Sequence, residues 1–215
     1  MKTEPRSTVF LIDDDLDVLD AVTRLLTAVG FSVVPFESAE AFLNATDSES
    51  TGCVITDLAM PSLDGLELGR ILSDRSPQMP IVIITGHGEV ALAVQAMKDG
   101  AFDFIEKPFD PDEFIQLVHR ALSAAVERQE TRQTELLLTR LGTREAEVLE
   151  LIIEGMPTKA IAARLGSSYN TVRNQRSQIL KKMHVTCTAE LVRNVTIFKT
   201  RPKSRGSNEI RTIND

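Results

Sequence analysis

The order of apolar and polar positions divides this 215-residue chain into two regimes. Through about residue 122, short continuous apolar runs alternate with stretches whose apolar residues recur every three or four positions. The short runs predict strands at 8–12, 31–36, 53–56, 80–85 and 102–105. The periodic stretches predict helices over 18–29, 38–44, 65–73 and 89–99, and one starting near Pro111 that carries Phe114, Leu117, Val118, Ala121 and Leu122 inward. Gly30 and Gly100 stop two of these helices, Ser38 can cap another, and Pro35 suits an edge strand. Strands that are apolar on both faces and alternate with helices predict an α/β, doubly wound, five-stranded parallel sheet.

Beyond Ala124 the pattern changes. Residues 124–137 are polar and charged, without Gly or Pro, and read as a semi-rigid helical linker. Leu136, Leu137 and Leu138 then open a second core. Four helices follow, beginning at Thr143, at Thr158 as a cap, after Ser168 as a cap, and near residue 188; Gly155 and Gly166 end the first two. Two short helices joined by a glycine turn, the second polar and basic, read as a helix-turn-helix in a small all-α four-helix domain. The expected organisation is a sheet domain over 1–123, the linker, a helical domain over 138–198, and a polar, disordered tail over 199–215.

Charge sharpens this division. Residues 1–125 hold 8 Lys and Arg against 21 Asp and Glu, whereas residues 126–215 hold 16 against 10. An acidic half joined to a basic half points to two tasks, with a polyanion as partner of the second. The apolar runs fall far short of the ~20 residues of a membrane span, so no membrane partner is expected. The first six residues alternate in charge with no apolar stretch, so no secretory signal is expected. Cys53 and Cys187 are far apart and read as small buried hydrophobes in a reducing cytoplasm.

The candidate chemistry sits where strands end. Asp13, Asp14, Asp57, Thr85 and Lys107 each follow an apolar run, and in an open α/β sheet ligands bind at the carboxyl edge. Crowded carboxylates need a cation or protons, and hard oxygen donors beside a shallow cleft suit Mg²⁺. A carboxylate nucleophile at Asp57, a cation, the Lys107 ammonium and the Thr85 hydroxyl together suit acceptance of a phosphoryl group. Asp13, Asp15 and Asp17 imitate a calcium loop, but Val18 replaces its glycine and Arg24 its closing glutamate. In the second half, Asn170, Arg173, Asn174 and Ser177 share one helix face, with Thr171 beside them. Arg and Asn can read base edges of double-stranded DNA, and Lys159, Gln175, Lys181 and Lys182 suit phosphates.

These motifs carry a resemblance. Asp13-Asp14, Asp57 in TDLAMP, Asp64-Gly65, Thr85-Gly86, and Lys107-Pro108 after Phe104 resemble the flavodoxin-like receiver domain of two-component response regulators, over about 7–122. LGTREAEVLELIIEGMPTKAIAARL and NTVRNQRSQILKKMHV resemble the LuxR-type DNA-binding domain, over about 138–197. Together they are similar to a response regulator of the FixJ/NarL type, a transcription factor rather than an enzyme. The resemblance implies phosphorylation of Asp57 by a histidine kinase and Mg²⁺ on Asp14, Asp57 and the Ala59 carbonyl, assisted by Asp13. It also implies a cis Lys107–Pro108 bond, Thr85 and Phe104 as a switch pair, and a homodimer when phosphorylated. Ala59 stands where phosphatases of aspartyl phosphate carry a second acid, so a long-lived phosphoryl group, tuned by Ala59 and His87, is expected. Thr158, Ser167 and Gln175 depart from the usual Asn, aliphatic and His; Ser167 is expected to weaken the helix-turn-helix core slightly.

Overall fold

The computed structural model describes residues 8–86 and 90–200. The chain divides between Gln129 and Glu130 into two compact units. In the first, β1 (Thr8–Ile12), β2 (Ser32–Phe36), β3 (Gly52–Asp57), β4 (Ile81–Thr85) and β5 (Asp103–Glu106) form one parallel sheet in the order β2-β1-β3-β4-β5. Between them run α1 (Leu16–Ala28), α2 (Ala39–Ala45), α3 (Gly65–Arg75) and α4 (Val90–Lys98), and α5 (Pro111–Leu138) follows β5. The predicted class and all five strands are present; β2, with Pro35, is an edge strand.

Alternation along the strands builds two cores. Val9, Leu11, Cys53, Ile55, Val82, Ile84 and Ile105 pack against Leu19, Val22 and Leu26 of α1 and Phe114, Leu117 and Val118 of α5. Phe10, Ile12, Val54, Ile81 and Ile83 pack on the opposite face against Phe42 of α2, Leu68 and Leu72 of α3 and Ala96 of α4. Burial on both faces is why these strands read as unbroken apolar runs.

Local chemistry moved several boundaries. The first helix begins at Leu16 rather than Val18, because Asp15 is its N-cap and accepts from the Asp17 and Val18 amides at 2.9 and 3.3 Å. Ser38 caps α2 as expected, accepting from Ala41 N at 3.1 Å. Gly52 adopts φ +147°, and a Cβ there would lie 2.0 Å from the Thr8 carbonyl oxygen. Only glycine lets β3 start in register with β1.

The second unit packs α6 (Thr143–Ile153), α7 (Thr158–Arg164), α8 (Tyr169–Lys182) and α9 (Thr188–Thr200) around Val148, Leu151, Ile152, Ile161, Val172, Ile179, Leu191 and Val195. Leu137, at the end of α5, is buried in this core and Leu138 packs on it, but Leu136 is exposed. The cap of α7 differs from expectation. Thr158 is the first helical residue and Pro157 holds the cap position, its carbonyl accepting from Ala160 and Ile161 N; proline's fixed φ supplies the entry that a hydroxyl was expected to supply. Cys53 is buried, which pushes its thiol up to about 12. Cys187 is exposed, contrary to the expected burial, because it lies in the turn before α9 rather than on a packed face. Among the described residues no helix is long and apolar enough to cross a membrane. His87 and the tail beyond Thr200 lie outside the described residues.

Replacing Gly52 with Ala should lower the stability of the sheet unit by roughly 2–4 kcal/mol, the sum of backbone strain and overpacking. Urea unfolding followed by circular dichroism checks this; an unchanged midpoint would contradict the close approach to Thr8.

Candidate functional site

The sheet order places β1 and β3 side by side at the point where chain direction across the sheet reverses, where ligands of such folds bind. Asp57 is the last residue of β3 and Asp13 follows β1 directly. Lys107 follows β5, and its backbone N–H donates to the Thr85 carbonyl at 2.8 Å. Its Nζ donates to Asp57 Oδ1 at 2.6 Å and to Asp13 Oδ2 at 3.1 Å. The Lys107–Pro108 peptide is cis.

Each carboxylate is held on its second oxygen by backbone. Asp57 Oδ2 accepts from Ala59 N at 2.8 Å, and Asp13 Oδ1 from Asp15 N at 2.9 Å. The backbone beneath is fixed by glycine: a Cβ on Gly65 would stand 2.7 Å from the Asp57 carbonyl oxygen. Asp64, just before, caps α3 through Glu67 N at 2.8 Å. The motif Asp64-Gly65 thus packs α3 under the end of β3.

The electrostatics follow from burial. Desolvation raises the Asp13 carboxyl above its ordinary range, although the Asp15 amide and Lys107 pull it down. Burial alone would lower the Lys107 ammonium, but its hydrogen bond to Asp57 and the charges of Asp57 and Asp13 outweigh this and raise it. Lysine is therefore charged at neutral pH, and Asp13 is the strained member. Asp14 is exposed beside them.

Thr85 is buried at the end of β4 and Phe104 is half-buried in β5. Ile83 pairs with Phe104 and Thr85 with Glu106, so Thr85 and Phe104 share the sheet face that carries α2, α3 and α4. Strand alternation assigns Asp57 and Lys107 to the other face, with Ile55 and Ile105.

In the second unit, Lys159, Asn170, Thr171, Arg173, Asn174, Ser177 and Lys181 are all exposed. Seven of the eight predicted contact residues lie on α8, six of them away from its buried Val172 and Ile179, with Gln175 between those two on the packed side; Lys159 lies on α7. Two side chains are committed elsewhere. Thr171 Oγ1 lies 2.8 Å from Ser168 Oγ in the helix cap. Lys182, read as a phosphate ligand, instead donates to Glu145 Oε2 at 2.5 Å and to the Arg140 carbonyl at 3.3 Å. Gln175 is half-buried, with Oε1 buried and without a hydrogen-bond partner.

Arg144 was missed by sequence reasoning. It donates from Nη2 to the Leu165 carbonyl at 2.5 Å and to Ser167 Oγ at 2.8 Å, tying α6 to the turn between α7 and α8. Ser167 is thereby satisfied, so the expected weakness has a compensating bond. A contact between residues so far apart in sequence leaves no local signal.

The comparisons with known proteins agree with this geometry. A model of the response regulator receiver domain matches residues 9–119, and a model of bacterial regulatory proteins of the luxR family matches residues 139–195. The chain belongs to the response regulators of this two-domain type. It is 38% identical over 195 residues to the transcriptional regulatory protein TdiR of Thauera aromatica, covering 89% of this chain and 86% of that one. It is 39% identical over 189 residues to the transcriptional regulatory protein FixJ of Bradyrhizobium diazoefficiens, covering 86% and 92%. A solved structure of the response regulator StyR superposes with a TM-score of 0.65 at 37% identity, over 89% of this chain and 98% of that one. This response regulator is accordingly a DNA-binding transcriptional regulator and not an enzyme. Its two domains imply a kinase and DNA as partners, and the receiver family generally binds Mg²⁺ at its phosphorylation site.

The donor set here fits such an ion. Asp13 and Asp57 present carboxylate oxygens at one sheet edge, with Asp14 exposed next to them. Among the described residues no group of three or more His, Cys, Asp or Glu is placed to hold a metal ion by itself. An open set of few carboxylates suits a cation that keeps much of its water.

The raised Asp13 carboxyl has a consequence for stability. A raised folded-state value stabilises the fold below the unfolded carboxylate value, and this is lost as pH rises through the folded value. Ionisation of Asp13 thus costs stability as pH rises, so Asp13→Asn should raise the thermal midpoint at pH 7 in chelator-treated buffer. The gain should shrink as pH falls through the carboxylate range. A lower midpoint at pH 7 would reverse the balance assigned to burial.

Proposed function

We propose that Asp57 of this regulator accepts a phosphoryl group from the phosphohistidine of a partner kinase, and that this modification controls DNA binding by α8. The observation that carries the reading is the single Lys107 ammonium shared by Asp57 and Asp13 at the carboxyl edge of the sheet. In the transfer, an Asp57 carboxylate oxygen forms the new bond to phosphorus while the bond from phosphorus to the imidazole nitrogen breaks. The electron pair leaves with the imidazole.

Each neighbour has a role. Lys107 neutralises charge on the acceptor before transfer and on the phosphoryl oxygens after it. The Thr85 hydroxyl donates to a phosphoryl oxygen. Asp13, Asp14, Asp57 and the Ala59 carbonyl would hold Mg²⁺, which when bound supplies further charge neutralisation. Phosphorylation adds ~1.5–2 negative charges. Movement of Thr85 toward them opens room on the face it shares with Phe104, which turns inward and alters the surface of α4 and β5. The altered face supports a homodimer, and dimers on two half-sites gain affinity through effective concentration. Arg173, Asn174, Asn170 and Ser177 read bases, with Lys159 and Lys181 supporting the backbone contacts. Such a regulator works in the cytoplasm, where its free thiols stay reduced.

Intact mass after incubation with Mg²⁺ and a small-molecule phosphodonor tests the acceptor. Wild type should gain one phosphoryl mass and Asp57→Asn none; a gain in both would place the acceptor elsewhere. For the output, Arg173→Ala should cost about 1–3 kcal/mol at one base position, whereas Lys181→Ala should weaken all sequences alike. Equal losses for Arg173→Ala on specific and random duplexes would remove its reading role.

A further inference from the structure

We propose that Tyr169 is a DNA-contact residue of this regulator, its phenol donating to a backbone phosphate oxygen at the head of α8. The inference rests on the reading of α8 as the element that meets DNA. Tyr169 is the chain's only tyrosine, and there is no tryptophan.

Its setting is unusual for an aromatic side chain. Tyr169 is 53% exposed on a helix whose apolar residues otherwise turn inward, as Val172 and Ile179 do. Its phenol bonds to no other described residue and stands open to solvent, so the donor is accessible to a ligand. Helical spacing puts it at i, i+4 and i+8 with Arg173 and Ser177, both exposed. The ring therefore heads the row proposed to face the bases.

The position suits phosphate. Tyr169 is the first residue of a 14-residue helix whose N-terminus is capped by Ser168 through Thr171 N at 3.1 Å. The positive end of the helix dipole favours an anion there. Recognition helices also enter the groove N-terminus first, and tyrosine is among the side chains that bond phosphate and fix register. A neutral donor at this point positions the helix without adding charge. That separates Tyr169 from Lys181, whose contact releases counterions.

The chain supplies its own probe, because tyrosine emission arises from this one residue. The full chain, treated with Mg²⁺ and phosphodonor, is titrated at low salt with a random-sequence duplex carrying a dye. Dye anisotropy reports binding, and acrylamide quenching of tyrosine emission reports access to the ring. Binding should shield Tyr169 in step with the anisotropy. Tyr169→Phe should weaken binding by about two- to tenfold, the worth of one hydrogen bond, with the salt dependence unchanged. Lys181→Ala should instead flatten the salt dependence by about one ion.

Anisotropy that rises while the ring stays fully open to acrylamide would overturn the contact and leave the DNA reading standing. Tyr169→Phe binding as tightly as wild type would overturn the hydroxyl's role. Failure of the wild-type chain to bind any duplex would overturn the DNA reading, and this inference with it.

Discussion

Two carboxylates from different strands and one ammonium from a third meet at the edge of the sheet, and the receiver unit is arranged around that meeting. Lys107 Nζ is 2.6 Å from Asp57 and 3.1 Å from Asp13. Desolvation leaves Asp13 the costly member, while its two acidic partners keep the lysine charged. A site of this kind holds negative charge at close quarters with incomplete compensation. It is therefore disposed to take up a hard cation and to respond when more negative charge arrives.

The sheet converts that local constraint into a two-sided arrangement. Asp57 and Lys107 continue the strand positions that face α1 and α5, and Thr85 and Phe104 continue those that face α2, α3 and α4. In the proposed switch the charge changes on one side of the sheet and the response is drawn on the other. Gly65, whose Cβ would meet the Asp57 carbonyl at 2.7 Å, locks α3 beneath Asp57.

The second unit solves a different problem with similar economy. Its core of Val148, Ile161, Val172, Ile179 and Leu191 orients α8 so that Arg173, Asn174 and Ser177 stand outward. Arg144 then pins the turn ahead of α8 through the Leu165 carbonyl and Ser167 Oγ. Lys182 and Lys181 are adjacent in sequence yet opposite in role, one drawn inward to Glu145 and the other exposed.

The strands, their parallel class, most helices and the inward rows of both units were legible in the chain, because buried strands and amphipathic helices write their periods directly into it. The meeting of Asp13, Asp57 and Lys107 was legible too, since the carboxyl ends of neighbouring parallel strands converge by geometry. Other features were decided by contacts between distant residues. Arg144 found its partners more than twenty positions away; Lys182 turned from solvent to Glu145; and Pro157 took the cap expected of Thr158. Cys187 was left exposed by a turn that hydrophobicity does not foretell. Local pattern specifies which face of an element is buried. Which polar atoms meet across the gap depends on where the other elements come to rest, and only the folded chain sets those distances.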